Sequence, residues 1–321
     1  MAGEVAIIGA GMAGLAAARR LRAAGIAGTL FDKSRGPGGR MATRRVDGLQ
    51  FDHGAQYVTA RGPGFRDLVA GWTAAGQAAE WFDGAFVGTP GMSAPMRTML
   101  DGVTVVAGCP VSAVEPGPGG WTVRTADGPV DHAANGTFAA VVVAVPAPQA
   151  VPLVATAGVR FAELAAVRYA PCWALMLAFD APVPLDCDHL RIDEGDIAWI
   201  ARNSAKPGRD PARETIVVHA APDWSRRHLE WTADRVAAEL LARFRDLTGS
   251  VEEPGFASAH RWRYALVEAA AGAPCLWDGE RRLAACGDWC LGPRVEAAFD
   301  SGVAAADAVI AALRPAAPSR W

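Results

Sequence analysis

The chain of 321 residues is poor in lysine: Lys33 and Lys206 are the only two, so almost all of its 31 basic side chains are arginine. Arginine keeps its proton at neutral pH, which leaves few groups for a chemistry that needs an amine base. The chain also lacks net charge. Its 34 acidic residues bring the formal total to −3, and the basic residues are too evenly spread to gather phosphate backbones. No nucleic-acid partner is expected. Cys109, Cys172, Cys187, Cys275, Cys286 and Cys290 form no C-x-x-C pair and have no histidine at metal-ligand spacing. They read as free, buried thiols of a reducing cytoplasm, with no metal. No export signal is expected either, because Glu4 stands where positive charge belongs and Arg19 and Arg20 follow the apolar run rather than precede it. The longest uncharged stretch, Phe138 to Val159, has the hydropathy of a membrane span, yet Pro146, Pro148 and Pro152 would interrupt any helix through it. It is expected to be a buried strand running into a loop, in a cytoplasmic protein without a membrane partner.

What is present is a globular composition, 51% hydrophobic and 20% charged, enough for one large core or two modest ones. Val5-Ala6-Ile7-Ile8 is a short β-branched run of the kind buried on both faces of a parallel sheet. Met12 to Ala24 favours helix, Gly25 closes it, and Thr29 to Phe31 reads as a second strand ending at Asp32. Val103 to Ala107, Val111 to Glu115 and Trp121 to Thr125 predict a small antiparallel meander, and Ala139 to Val145 a return to the parallel sheet. Trp173 to Phe179 and Thr215 to His219 read as amphipathic strands, Thr232 to Leu247 as an amphipathic helix, and Arg281 to Leu313 as strand, glycine turn and long alanine-rich helix. The expected class is α/β: a Rossmann-like, doubly wound domain (1–61, 96–159 and 255–314), a second α+β domain (62–95 and 160–254) and a loose tail at 315–321.

Gly9-Ala10-Gly11-Met12-Ala13-Gly14 fits G-x-G-x-x-G between a strand and a helix. Its glycines allow a sharp turn, close approach of a pyrophosphate and tight helix–strand packing, while the helix N-terminus offers unpaired N–H groups. Asp32, 23 residues after Gly9, is placed to bind ribose hydroxyls. Arg35-Gly36-Pro37-Gly38-Gly39-Arg40-Met41 adds a second glycine cluster with two arginines, a further cradle that NAD domains do not need; the alternative is a mobile surface loop. Near the end, Gly287-Asp288 and Gly292-Pro293-Arg294-Val295-Glu296 precede a helix whose N-terminus could face a ring that gains negative charge. An ordinary Gly-Pro helix start is the simpler alternative.

These segments, with Asp52-His53-Gly54-Ala55-Gln56-Tyr57 and the strand Val141 to Pro146, resemble the FAD-binding amine-oxidase-like superfamily. Ala170 to Leu175, Arg202 to Arg209 and His260 to Ala265 are most similar to its bacterial renalase branch. The resemblance implies FAD, held by Gly9, Gly11, Met12, Ala13 and Gly14, by Asp32, Lys33 and Arg35, by Gly39, Arg40 and Met41, by Gly54, Ala55 and Gln56, by Val111, and by Gly287, Asp288, Arg294, Val295 and Glu296. It implies oxidation of the 2- or 6-dihydro isomers of NAD(P)H to NAD(P)⁺, with oxygen reduced to hydrogen peroxide and the substrate lying between the domains. Such a donor regains aromaticity on losing hydride, so positioning does most of the work. Amine oxidases place a lysine near the flavin, and the matching segment Val167 to Phe179 has none.

The substrate-positioning candidates are Gln56, Tyr57, Asn203, His219, Trp262 and Arg263. Trp262, Arg263 and Tyr264 alternate along a predicted strand, so only part of the trio can face a cavity. Asn203 and Arg209 could hold amide or phosphate groups, or form a solvated turn; His219 and His260 could donate hydrogen bonds, or be satisfied structural histidines. Trp199, Trp224 and Trp289 are weaker candidates among eleven tryptophans. Two other functions stay open: an amine or polyamine oxidase of the same fold, which calls for carboxylates or an aromatic cage around a cation, and a binding protein that keeps the FAD fold without its chemistry. A dinucleotide and oxygen are the expected partners, for a monomer or weak homodimer.

Overall fold

A computed structural model describes residues 3–130 and 137–314; the expected tail at 315–321 lies outside the described residues. The chain divides into two units, Met1–Gly39 with Met96–Val167 and Ala269–Trp321, and Arg40–Pro95 with Arg168–Glu268.

The first unit is built on a six-stranded sheet in the order Leu276–Asp278, Leu283–Ala285, Ala140–Val143, Val5–Ile8, Gly28–Asp32 and Thr104–Ala107. Every neighbouring pair is parallel except the first, which is antiparallel. Val5–Ile8 is buried throughout because it sits mid-sheet between two parallel neighbours. The helices Met12–Ala23 and Val295–Leu313 pack together so closely that a side chain at Gly302 would run into the carbonyl of Ala13.

Two expectations fail here. Thr104–Ala107 is not part of the meander but pairs in parallel with Gly28–Asp32, leaving Val111–Gly117, Gly120–Thr125 and Gly128–Pro129 as the antiparallel sheet. Short strands look alike by composition, and the partner decides the sheet. The prolines also fail to stop a helix over Ala147–Thr156. Pro146 is its N-cap and Pro148 lies in its first turn, where no donor is missed. Pro152 interrupts one backbone bond of a helix that buries Ala147, Ala150, Leu153 and Val154. No helix among the described residues is long and apolar enough to cross a membrane.

The second unit carries a five-stranded sheet in the order His189–Arg191, Ile197–Arg202, Glu214–Ala220, Arg168–Phe179 and Phe256–Ala269. Side chains alternate across it with period two. Trp173, Leu175, Leu177 and Phe179 join the core formed with Leu240 and Phe244 of the helix Ala233–Thr248, whereas Met176, Ala178 and Val217 meet Leu49 and Phe51 of a hairpin. The strands expected to be amphipathic are thus covered on both faces. Thr232 caps that helix by accepting from the Arg235 N–H, and Gly249 ends it at φ 69°. Residues 40–61 and 255–268, expected in the nucleotide domain, group with this unit, since Phe256–Ala269 is a strand of its sheet. All six cysteines are free, but Cys187 is exposed and Cys172 and Cys275 are only half-buried, so a uniformly buried set is not observed.

Candidate functional site

The first unit assembles a cradle from backbone. Gly9, at φ 108°, turns the chain off its strand, and a side chain at Gly14 would run into the Gly9 carbonyl oxygen. Gly11 is the N-cap of Met12–Ala23 with no side chain capping the helix, and a Cβ there would meet nothing within 4 Å. Uncapped N–H groups beside open space are what a pyrophosphate needs. The second glycine cluster closes on the first: the Gly38 N–H donates to the Ala10 carbonyl at 2.9 Å, and a Cβ at Gly39 would lie 3.4 Å from Gly11 Cα. Asp32 receives the Ala10 N–H at 2.6 Å on one oxygen and the Ser34 N–H at 2.7 Å on the other, so it braces this loop. Met12 and Ala13 are buried in the helix face, while Lys33 and Arg35 are exposed.

The tail motif meets the same unit. The Gly287 N–H donates to Ser301 Oγ at 3.1 Å, and Trp289 Nε1 to the Val145 carbonyl at 3.0 Å, which removes Trp289 from the ligand candidates. Asp288 is buried, and Arg294 starts Val295–Leu313 with no side-chain cap, Glu296 standing in its first turn. Val111 is half-buried at the head of its strand. The two open helix starts and the glycine cradle fit a dinucleotide.

The second unit is built differently, around a buried carboxylate. Asp52 Oδ1 accepts from Thr43 Oγ1 at 2.8 Å and the Met92 N–H at 3.0 Å; Oδ2 accepts from Arg209 Nε at 3.1 Å and, more closely, from Nη2. Burial alone would raise the Asp52 pKa, but the charges of Lys206 and Arg209 and the hydrogen bonds hold it below the ordinary value. Arg209 also donates to the Gly88 carbonyl at 2.6 Å. Asn203, fully buried, accepts the Asp52 N–H at 3.2 Å and donates to the Gln50 carbonyl at 3.0 Å. Neither residue is a solvated turn or a ligand contact: the expectation for Asn203 is corrected, because its amide is consumed in tying two loops.

Lys206 is the residue that sequence reasoning passed over. Its Nζ donates to Gln56 Oε1 at 3.0 Å, lies 3.8 Å from Asp52 Oδ2 and sits 5.0 Å from the centre of the Trp81 ring. Burial, opposed by Asp52 and helped by Arg209, pulls its pKa down to about 7. The one available signal was scarcity, one of only two lysines in an arginine-rich chain.

The Lys206 bond fixes the Gln56 amide, whose Nε2 donates to the carbonyls of Asp52 at 2.6 Å and Gly54 at 3.0 Å. A carbonyl can only accept, so the 3.2 Å contact of His219 Nε2 with the His53 carbonyl places a proton on that nitrogen. The 3.3 Å approach of Gln56 Nε2 to His219 Nε2 is then a contact between donors. Trp262 Nε1 donates to the same His53 carbonyl at 2.9 Å. Burial pushes the His219 pKa down to about 4 and the His53 pKa to about 3, with His260 adding to the latter; His260 is lowered by burial and by Arg44. All three rings are neutral near pH 7. His53 Nδ1 is buried without a hydrogen-bond partner among the described residues, beside Trp262 at 5.1 Å and His260 at 4.8 Å between ring centres.

Gln56, His219 and Trp262 are therefore brought together. Arg40 donates to the Ala265 carbonyl at 3.1 Å and its own carbonyl accepts the Ala55 N–H at 2.8 Å, against a Gly54 that has no room for a side chain; Met41 is buried beside it in sequence. Tyr57 stands apart in an aromatic group with Phe82 and Trp199, where His189 stacks on Phe82 at 4.2 Å. Trp224 is core. Arg263 is a correction: it lies on the exposed face of its strand, paired with Glu230 at 2.8 Å.

A doubly wound nucleotide-binding unit joined to an antiparallel-sheet unit defines a class, and comparison with known proteins names it. Residues 7–72 match the model of an NAD(P)-binding Rossmann-like domain, and residues 76–310 that of the flavin containing amine oxidoreductases. The chain belongs to the flavin containing amine oxidoreductase family, and its cofactor is FAD. In sequence it is 48% identical over 54 residues to the 4,4'-diapophytoene desaturase (4,4'-diaponeurosporene-forming) of Staphylococcus haemolyticus (strain JCSC1435), a match covering 17% of this chain and only 11% of the desaturase. In structure it is similar to a protein assigned as a protoporphyrinogen oxidase from Exiguobacterium sp. 255-15 (TM-score 0.78, 13% identity, 97% of this chain and 99% of that one). Cyclohexylamine oxidase from Brevibacterium oxydans IH-35A gives a TM-score of 0.71 at 12% identity, covering 97% and 99%. These likenesses show the fold.

Proposed function

We propose that this flavoprotein oxidises dihydronicotinamide dinucleotides reduced at ring position 2 or 6, yielding NAD(P)⁺, with oxygen taking the electrons and forming hydrogen peroxide. One observation carries the reading: apart from Lys206, whose pKa of about 7 leaves it partly charged, the polar groups gathered around Gln56 are neutral or already neutralised. Asp52 is matched by Arg209, and His53, His219 and His260 are held uncharged by burial. An amine substrate needs a carboxylate or a base to manage its charge, whereas a donor that gains aromaticity by losing hydride needs a flat, dry, uncharged surface. Bound FAD supplies a two-electron acceptor that oxygen can regenerate. Trp262 presents an indole fixed through the His53 carbonyl, and Gln56 a carboxamide locked at both ends. Ordered groups of this kind orient a ring without moving a proton.

A second reading, amine oxidation, is favoured by the family itself and by the aromatic group of Tyr57, Phe82, His189 and Trp199, which could surround a cation. Anaerobic mixing separates the two. Bleaching of the flavin within one turnover by 6-dihydro-NAD supports the first; bleaching by simple amines and not by dihydronicotinamides reverses it. A purified protein that stays colourless with added FAD would point to a binding role instead.

A further inference from the structure

Half of the cysteines, Cys275, Cys286 and Cys290, fall in the last stretch of the first unit, around the antiparallel pair Leu276–Asp278 and Leu283–Ala285. None is used by the chemistry proposed. The register sets two of them face to face. Leu276 pairs with Ala285 and Asp278 with Leu283, so one step further along the same ladder Cys275 stands opposite Cys286. The two segments do not part beyond that step, because the Ala271 N–H donates to the Trp289 carbonyl at 2.8 Å and the Gly272 N–H to the Cys290 carbonyl at 3.0 Å.

The hydrogen bonds also fix the kind of pair. The Cys286 N–H donates to the Val143 carbonyl at 3.0 Å, and the Arg282 carbonyl accepts from the Val141 N–H at 3.1 Å. Backbone groups alternate sides along a strand, so residues 282, 284 and 286 turn theirs toward Ala140–Val143, and 283 and 285 toward Leu276–Asp278. Cys275 and Cys286 therefore form a non-hydrogen-bonded pair, the closer of the two antiparallel geometries, in which opposed Cα atoms lie about 4.5 Å apart with both side chains on one face. A disulfide accepts Cα separations of roughly 4.4–6.8 Å. Cys290 is otherwise engaged: its Sγ approaches the Ala285 carbonyl at 4.0 Å and shares a hydrogen bond with Ser301.

We propose that Cys275 and Cys286 are a modification site, a dithiol that hydrogen peroxide converts to a cross-strand disulfide. Cys275 is half-buried and Cys286 wholly buried, so the oxidant enters at Cys275. Its sulfur attacks one peroxide oxygen and the O–O bond breaks, leaving a sulfenic acid on Cys275 and one water. The Cys286 sulfur then attacks that of Cys275; the S–O bond breaks, the S–S bond forms and a second water departs. Two thiols lose two electrons and two protons, and one peroxide becomes two waters. Burial raises the pKa of both thiols, Cys286 further through its neighbours Cys290 and Cys275, so the pair rests protonated and reduced until a strong oxidant arrives. The bond ties the edge strand Leu276–Asp278 to the residue that leads into Gly287–Asp288. The inference asks only for a peroxide and does not depend on which donor reduces the flavin.

The test treats the FAD-loaded protein with hydrogen peroxide, removes the excess with catalase, blocks remaining thiols with N-ethylmaleimide in denaturant and digests with trypsin without reduction. Cleavage after Arg263, Arg281, Arg282 and Arg294 leaves Cys275 in the peptide 264–281 and both Cys286 and Cys290 in 283–294. The two peptides should appear joined, two hydrogens lighter than their sum, with fragmentation placing the link at Cys286 and the maleimide on Cys290; dithiothreitol should separate them. Cys286→Ser should lose the link and Cys290→Ser should keep it. Should either variant fail to fold, the wild-type fragment pattern decides alone. A link at Cys290, or sulfinic acid on Cys275 with no link, overturns the proposal. So does maleimide on both Cys275 and Cys286 once the exposed Cys187 has been oxidised, since that thiol reports that the peroxide acted.

Discussion

The two units are built from opposite materials. The first uses backbone: absent side chains at Gly9, Gly11 and Gly14, and helix starts left uncapped. The second uses side chains: a buried carboxylate, two buried cations and an amide wired to carbonyls. A backbone cradle tolerates almost any neighbour but no added carbon, whereas a charge network tolerates added carbon better than a lost partner.

The largest effect expected from this contrast is at Gly14. Gly14→Val drives a branched side chain into the Gly9 carbonyl, and purified protein should be colourless and poorly folded by circular dichroism. Gly11→Ala sharpens the point, since its Cβ enters empty space in front of the helix: the variant should melt like wild type yet bind FAD more weakly in a fluorescence titration. Next comes Asp52→Asn, which strands Arg209 and Lys206 as buried charges and should cost about 3–5 kcal/mol in urea unfolding. The Asp52 contribution is present above its unfolded pKa of 3.8 and is lost as pH falls through the lower folded value.

Lys206 gives the opposite limb. Its folded pKa of about 7 lies below the ordinary 10.5, so between those values the unfolded chain binds the proton that the folded chain has given up. Stability should therefore rise with pH from about 7 toward 10, and Lys206→Met should flatten that rise in a denaturant series. Asn203→Ala removes the ties to Asp52 and Gln50 and should cost about 1–3 kcal/mol, measured by Tm, without changing the flavin spectrum. Arg263→Ala breaks only an exposed pair with Glu230 and should alter neither stability nor flavin binding measurably.

The same contrast explains what could be read without coordinates. The Rossmann-like unit was legible because its signals are local: Val5–Ile8, the Gly9–Gly14 spacing and Asp32 lie within one strand–helix–strand segment. The second unit was not, since Asp52 and Gln56 lie about 150 residues before Lys206 and Arg209 and no short-range pattern predicts that they will be buried together. Alternation correctly warned that Trp262 and Arg263 cannot share a face, and the structure turns Trp262 inward and Arg263 outward. It could not tell that Asn203 is a tie rather than a contact. Composition likewise placed Thr104–Ala107 in the wrong sheet, because a strand's partner lies far along the chain.

Gly302, pressed on Ala13, joins the helix that opens the sequence motif to one made nearly three hundred residues later. The nucleotide-binding lobe therefore cannot finish folding while the ribosome is still translating its middle. Its earliest segment must wait, half-dressed, for a late-arriving strand and helix, and a chain cut short before residue 302 would expose the apolar flank of Met12–Ala23 to chaperones and proteases.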